Sequence, residues 1–263
     1  MKEETPVVWI TGGGSGLGSA MARVFSEQGY RVAVSGRRES RLEEVVDSLP
    51  GEGLAVPCDV TEVATLTQAV ERLIETWGRL DIVVANAGFA VGGPLEELDD
   101  TQWRRQLEVN VVGAASTVNC ALPHLKETRG RIGLVASVAS MVYAPGSGAY
   151  NASKAALRAM GLTLSLELHG TGVSCTTLHP GFVESEIGQV DNSGQFHAEW
   201  KDQRPAALMW TAPNAAKVMV RAIEKRKREY VFTWHGRFGA FMGRHFPGCT
   251  HWLIVFGKRF FSR

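Results

Sequence analysis

Apolar positions along the chain fall into two rhythms. Short unbroken runs, Val7-Val8-Trp9-Ile10, Arg31-Val32-Ala33-Val34-Ser35, Leu54 to Val60, Leu80 to Ala85, Arg131 to Ala136, Val173 to His179 and Tyr230 to Thr233, have strand length and many β-branched residues. Between them apolar residues recur at helical spacing: Ser19 to Phe25, Thr61-Glu62 onward to Trp77 with Thr61 as N-cap, Thr101 to Glu127, the stretch from Tyr150 through Leu157, Met160, Leu164 and Leu168, and Asn214 to Glu229. Strands buried on both faces read as continuous apolar runs, and strands alternating with helices imply a parallel sheet covered on both sides. The pattern predicts an α/β fold: a single doubly wound, mostly parallel, seven-stranded sheet with helices on both faces. This domain occupies 1–233, and an aromatic and basic extension follows over 234–263.

Chemistry gathers where strands end. After the first run comes Thr11-Gly12-Gly13-Gly14-Ser15-Gly16-Leu17-Gly18, a turn too tight for side chains that opens a helix. Backbone N–H groups at a helix start point at an anion, and missing side chains let a pyrophosphate approach. At the end of the second strand, where an acid would hold the ribose 2′-OH of NAD, Ser35 and Gly36 are followed by Arg37 and Arg38, which suit the 2′-phosphate of NADP. Arg37 is the first choice and Arg38 the second. Asp59 and Val60 close the third strand; Asp59 either accepts from an adenine amino group or caps the next helix. The fourth strand runs into Asn86-Ala87-Gly88. Asn110 interrupts an apolar stretch of the long helix, the fifth strand delivers Ser137, and Tyr150 and Lys154 share one helical face at i, i+4.

Reduction of a carbonyl by hydride needs a proton for the nascent alkoxide and a hydrogen bond to polarise the carbonyl. A phenol with a pKa of about 10 becomes a better catalyst near neutral pH beside an ammonium. Tyr150 with Lys154 supplies that pair, Ser137 holds the substrate oxygen, and Asn110 supports a proton relay. The run Thr11 to Gly18 fits TGxxxGxG, Asn86-Ala87-Gly88 fits NAG, and Asn110, Ser137, Tyr150 and Lys154 stand in the order and spacing of a catalytic tetrad. Over roughly Pro6 to Tyr230 the chain resembles the short-chain dehydrogenases/reductases, with a Rossmann-type fold. The resemblance implies that Pro180-Gly181 opens a segment in which Val183 and Ser185 bind the nicotinamide carboxamide, that Lys154 also meets the nicotinamide ribose, and that the chain assembles as a homodimer or homotetramer. The activity implied is NADP(H)-dependent, with NAD(H) as the alternative cofactor, on a small-molecule carbonyl or alcohol. A family-related epimerase or dehydratase would retain its cofactor through the cycle, and a non-catalytic cofactor-binding or membrane-recruited protein would show no turnover.

Composition narrows the partners. At 263 residues, 44% of them apolar, the chain buries a substantial core, and a net charge of +1 argues against nucleic acid. Cys58, Cys120, Cys175 and Cys249 lie far apart, without the Cys/His spacing of zinc sites, so no metal is expected. The polar start Met1 to Pro6 and the short run after it do not read as a signal peptide, and no apolar stretch reaches the roughly 20 residues that span a bilayer; a cytoplasmic protein is expected.

Substrate choice falls to Glu184 to Met209, the least regular part of the chain. Phe196, Trp200, Leu208, Met209 and Trp210, with Phe89, Met141, Val142 and Tyr143, predict an apolar mouth and a hydrophobic substrate. The run Lys225 to Arg228 is read as the basic end of the last helix. From Trp234 to Arg263, aromatic residues alternate with Arg237, Arg244, Lys258, Arg259 and Arg263 and no acid, interrupted by Gly236, Gly239, Gly243, Pro247, Gly248 and Gly257. The glycines argue against a regular helix there. The segment suits packing on the domain, a subunit neighbour or an anionic membrane surface.

Overall fold

In the computed structural model, residues 5–202 and 204–261 are described, 257–261 by backbone alone. The start Met1 to Glu4, the side chains of Lys258, Arg259, Phe260 and Phe261, and Arg263 lie outside that description.

Seven strands form one fully parallel sheet: β1 (Val7–Thr11), β2 (Arg31–Gly36), β3 (Gly53–Pro57), β4 (Ile82–Ala85), β5 (Arg131–Val135), β6 (Ser174–His179) and β7 (Glu229–Val231), in the order β3-β2-β1-β4-β5-β6-β7. Helices α1 (Gly16–Glu27), α2 (Glu39–Asp47), α3 (Val63–Trp77), α4 (Asp100–Leu107), α5 (Gly113–Thr128), α6 (Gly148–Glu167) and α7 (Ala212–Glu224) cover both faces. The alternation of strand side chains explains why β1 is apolar throughout. Val7 and Trp9 join a core with Leu66, Leu73, Leu125 and Leu157 from α3, α5 and α6, whereas Val8 and Ile10 join Met21, Phe25, Met219 and Ile223 from α1 and α7. The order reverses between β1 and β4, and the crevice above their carboxyl ends is where such sheets bind ligands.

Four local expectations are corrected. The helix expected from Thr101 to Glu127 is α4 and α5 joined by a π-helical segment, Glu108–Val112, with Asn110 at its centre. Thr61 does not cap α3; Glu62 holds that position, and the Thr61 hydroxyl donates to Asp59 Oδ1 at 2.8 Å. The basic run 225–228 lies beyond α7, which ends at Glu224, and Arg226 turns back at φ 51° so that its guanidinium donates to the carbonyls of Arg129, Gly130 and Gly172. Finally, the tail is helical despite its glycines: α8 (Trp234–His245) is followed by α9 (Pro247–Phe261).

Candidate active site

The glycine turn is built by close approach. A Cβ at Gly12, whose φ is +64°, would lie 2.7 Å from Ala87 Cα, and one at Gly18 would collide with the Gly12 carbonyl oxygen. Asn86 ties the turn to β4: its Nδ2 donates to the carbonyls of Thr11 and Gly12, each at 3.0 Å, and its own N–H donates to Thr11 Oγ1 at 3.2 Å. Ser15 begins α1 without a side-chain cap and no acid stands in the first turn, so the helix start presents N–H groups to an anion. These are the features of a dinucleotide pyrophosphate cradle.

A cleft of about 480 Å³ opens above this turn. It is lined by Gly12, Gly14, Ser15, Gly16, Leu17, Arg37, Arg38, Asp59, Val60, Asn86, Ala87, Gly88, Ser137, Tyr150, Lys154, Pro180, Gly181, Val183 and Ser185. Three expected residues stand behind its wall. Thr11 and Gly18 are buried under the turn, and Asn110 is buried behind Gly88.

Asn110 is fully satisfied by protein. Its Oδ1 accepts from Phe89 N at 3.0 Å, and its Nδ2 donates to Phe89 O at 3.0 Å and Ser153 Oγ at 3.1 Å. The π turn swings this amide inward, which makes Asn110 a buried tie between the strand β4 loop and α6. Lys154 is buried too, and its Nζ donates to Val135 O at 2.8 Å. Burial pushes its pKa down to about 8. The Nζ stands 5.7 Å from the centroid of the Tyr150 ring.

Tyr150 departs from the sequence expectation. Burial pushes its phenol above the ordinary value of 10, and what opposes burial is a hydrogen bond with Ser137 and the charge of Arg204, not that of Lys154. The Ser137 hydroxyl also accepts from Ala139 N at 3.1 Å. Below it, buried His179 places Nδ1 3.0 Å from Ser137 O and 3.1 Å from Ser140 Oγ, with Nε2 2.9 Å from Glu229. Against the burial that would raise it, Glu229 is held well below the usual carboxylate range by His179 and Arg158.

Arg37 and Arg38 reach the cleft and find partners in the segment that crosses it. Arg37 Nη2 donates to Gly194 O at 3.2 Å; Arg38 pairs with Glu186 at 2.6 Å and stands 5.6 Å from the Phe196 ring centroid. Asp59 Oδ1 accepts from Thr61 N at 3.0 Å and from its hydroxyl. The expected apolar mouth is smaller than the sequence suggests. Phe89 and Phe196 line the cleft, joined by Ile187 and Val190, but Trp200, Leu208, Met209, Trp210, Met141, Val142 and Tyr143 do not. Trp210 packs on Phe232, and Trp200 stacks on His197 at 4.5 Å.

Two cations in the cleft are new. Arg204 donates to Val183 O at 3.0 Å and Ser185 O at 3.1 Å and pairs with Asp202 at 2.7 Å, so it braces the segment after Pro180-Gly181. Nothing in the irregular sequence around it signals this. Arg105 lines the cleft from α4, and its buried Nε has no hydrogen-bond partner among the described residues. Its spacing of four from Val109, another lining residue, is the signal that was available.

Known proteins place this geometry. A sequence profile for the family described as short chain dehydrogenase matches residues 6–195. An uncharacterized oxidoreductase of Staphylococcus saprophyticus is 34% identical over 208 residues, which is 77% of this chain and 89% of that protein. Among solved structures, an alcohol dehydrogenase from the archaeon Thermococcus sibiricus complexed with 5-hydroxy-NADP is 28% identical with a TM-score of 0.74, covering 86% of this chain and 95% of that one. A short chain dehydrogenase/reductase from Burkholderia phymatum in complex with NAD is 27% identical with a TM-score of 0.78, covering 87% and 89%. With the parallel sheet, the glycine turn and these matches together, the chain belongs to the short-chain dehydrogenase/reductase family.

Proposed function

We propose that this protein is an NADP(H)-dependent oxidoreductase acting on a hydrophobic small molecule, reducing a carbonyl or, in reverse, oxidising the alcohol. The observation that carries the reading is the convergence of Ser137, Tyr150 and Lys154 in one cleft with the uncapped start of α1. The nicotinamide cofactor, when bound, supplies or accepts the hydride.

Tyr150 Oη gives the proton to the substrate oxygen. A phenol pushed up by burial stays protonated at neutral pH, the state an acid needs in the reductive direction, and the Ser137 bond and Arg204 charge limit how far it rises. Ser137 Oγ donates to the same substrate oxygen and fixes its position. Lys154 keeps a positive charge beside the ring and returns protons toward Tyr150, while Asn110 positions Phe89 and Ser153 around it. Val183 and Ser185, braced by Arg204, would hold the nicotinamide carboxamide.

The preference for NADP over NAD rests on Arg37 and Arg38 and on the absence of an acid at Ser35 and Gly36. Arg105 is a further cation in the same cleft. NAD(H) remains the second cofactor. Phe89, Ile187, Val190 and Phe196 support an apolar substrate. Four free cysteines support a cytoplasmic setting, and no helix among the described residues is long and apolar enough to cross a membrane. Assembly as a homodimer or homotetramer follows the family resemblance.

The test is cofactor oxidation across a panel of hydrophobic ketones and aldehydes. Turnover with NADPH exceeding that with NADH is expected. Cofactor binding without turnover on any carbonyl or alcohol would overturn the reading.

A further inference from the structure

Helix α8 carries its apolar face outward. Its inner seam is small: Gly236 and Ala240 are buried, and a Cβ at Gly243 would collide with the Met141 carbonyl oxygen. Its outer face is large: Trp234 and Phe238 are each 66% exposed, and Phe241 lies one turn further along the same face. The helix is held in this orientation. Thr233 Oγ1 accepts from Gly236 N at 3.2 Å, Arg244 pairs with Glu229 at 2.6 Å, and Phe182 N donates to His235 Nε2 at 3.1 Å. Rotation to bury the aromatic rings would drive them into the Val138–Val142 segment, against which the small residues pack.

In α9, Trp252, Leu253, Val255 and Phe256 are exposed as well, after Phe246. Of the sixteen large hydrophobic side chains exposed among the described residues, eight lie between Trp234 and Phe256. A patch of this kind marks an interaction surface. Its charge selects the partner. From Tyr230 to Arg263 there is no Asp or Glu, but there are Arg237, Lys258, Arg259 and Arg263 besides Arg244, which Glu229 already neutralises. A two-fold contact with a second copy would set this segment against itself, cations facing cations with no acid of its own to answer them. An anionic bilayer supplies both apolar depth for the rings and phosphates for the cations.

We propose that α8 and α9 dock on an anionic membrane surface and lie in its plane. Among the described residues, neither helix is long and apolar enough to cross. Helix α8 is anchored to the segment that follows Ser137 through its inner seam, Gly236 and Gly239 packing against Val138 and Val142, and the docked face is the opposite side of the same helix.

The test sediments the full chain with vesicles of phosphatidylcholine alone and of phosphatidylcholine mixed with phosphatidylglycerol. Binding to the mixed vesicles about tenfold tighter than to phosphatidylcholine, and weakened by salt, is expected. The triple variant Trp234→Ser, Phe238→Ser, Phe241→Ser is expected to lose about tenfold in vesicle affinity while keeping the circular dichroism of the intact protein. Absence of binding to mixed vesicles, or unchanged binding by the triple variant, overturns the proposal. So does a wild type that ignores vesicles and dissociates from dimer to monomer when the three rings are removed, because the patch is then a self-interface.

Discussion

The two ends of the cleft are held by different means. At the Tyr150 end the side chains are positioned from within: Asn110 and Lys154 are buried and bonded to backbone, and His179 lies beneath Ser137. At the Arg37–Arg38 end the cations are exposed and engaged by partners on the crossing segment, Glu186, Gly194 and Phe196. Buried bonds are costly to lose, since each leaves a polar group without water, whereas an exposed ion pair contributes little and yields to a better anion. On the function proposed above, the Tyr150 end is therefore preorganised, and at the other end Arg38 can exchange Glu186 for a phosphate.

Substitutions at the two ends should separate on this basis. The largest effect is expected from Lys154→Met, with kcat/KM for reduction down about 10²-fold or more. Stability should move the other way. Burial pushes Lys154 down to about 8 from an ordinary 10.5, so between those values the unfolded chain binds the more protons and stability rises with pH. The cost of burying the charge, about 3 kcal/mol below pH 8, disappears in the methionine variant and offsets its lost bond to Val135. In the wild type, kcat/KM should fall as pH rises through about 8 while thermal stability gains; parallel changes in the two profiles would contradict the role given to Lys154. Asn110→Ala comes next, costing about 1–3 kcal/mol in denaturant unfolding because Phe89 N–H and Ser153 Oγ lose a buried partner, and lowering kcat more than it raises KM.

The exposed end should respond in binding alone. Arg38→Ala is expected to raise the KM for NADPH about tenfold and to leave that for NADH within about twofold; equal effects would break the comparison. The smallest change should come from Glu186→Gln, which releases Arg38 and lowers the KM for NADPH by about two- to threefold. No change there would mean that Glu186 does not compete with the cofactor.

The same contrast governs what could be read in the sequence. The strands and the glycine turn were legible because both rest on local rules, continuous apolar runs and missing side chains. The helices carrying Tyr150 and Asn110 were legible for their periodicity, but the π turn was not, because an i→i+5 bond changes spacing without changing composition. In the sequence Asn110 only interrupts an apolar stretch, and its bonds to Phe89 and Ser153 are what show it to be buried. Arg204 and Glu186 act across long sequence separations, on Tyr150 and Arg38, from a segment without periodicity. In the tail the glycines that suggested a broken chain form the seam by which α8 packs.

The account depends most on Tyr150 as the proton donor. Comparing Tyr150→Phe with the wild type, by steady-state reduction of an accepted ketone and by separate titration of NADPH fluorescence, tests this directly. A loss of about 10²-fold or more in kcat with NADPH affinity unchanged is predicted; turnover that persists when the phenol hydroxyl is gone would contradict it.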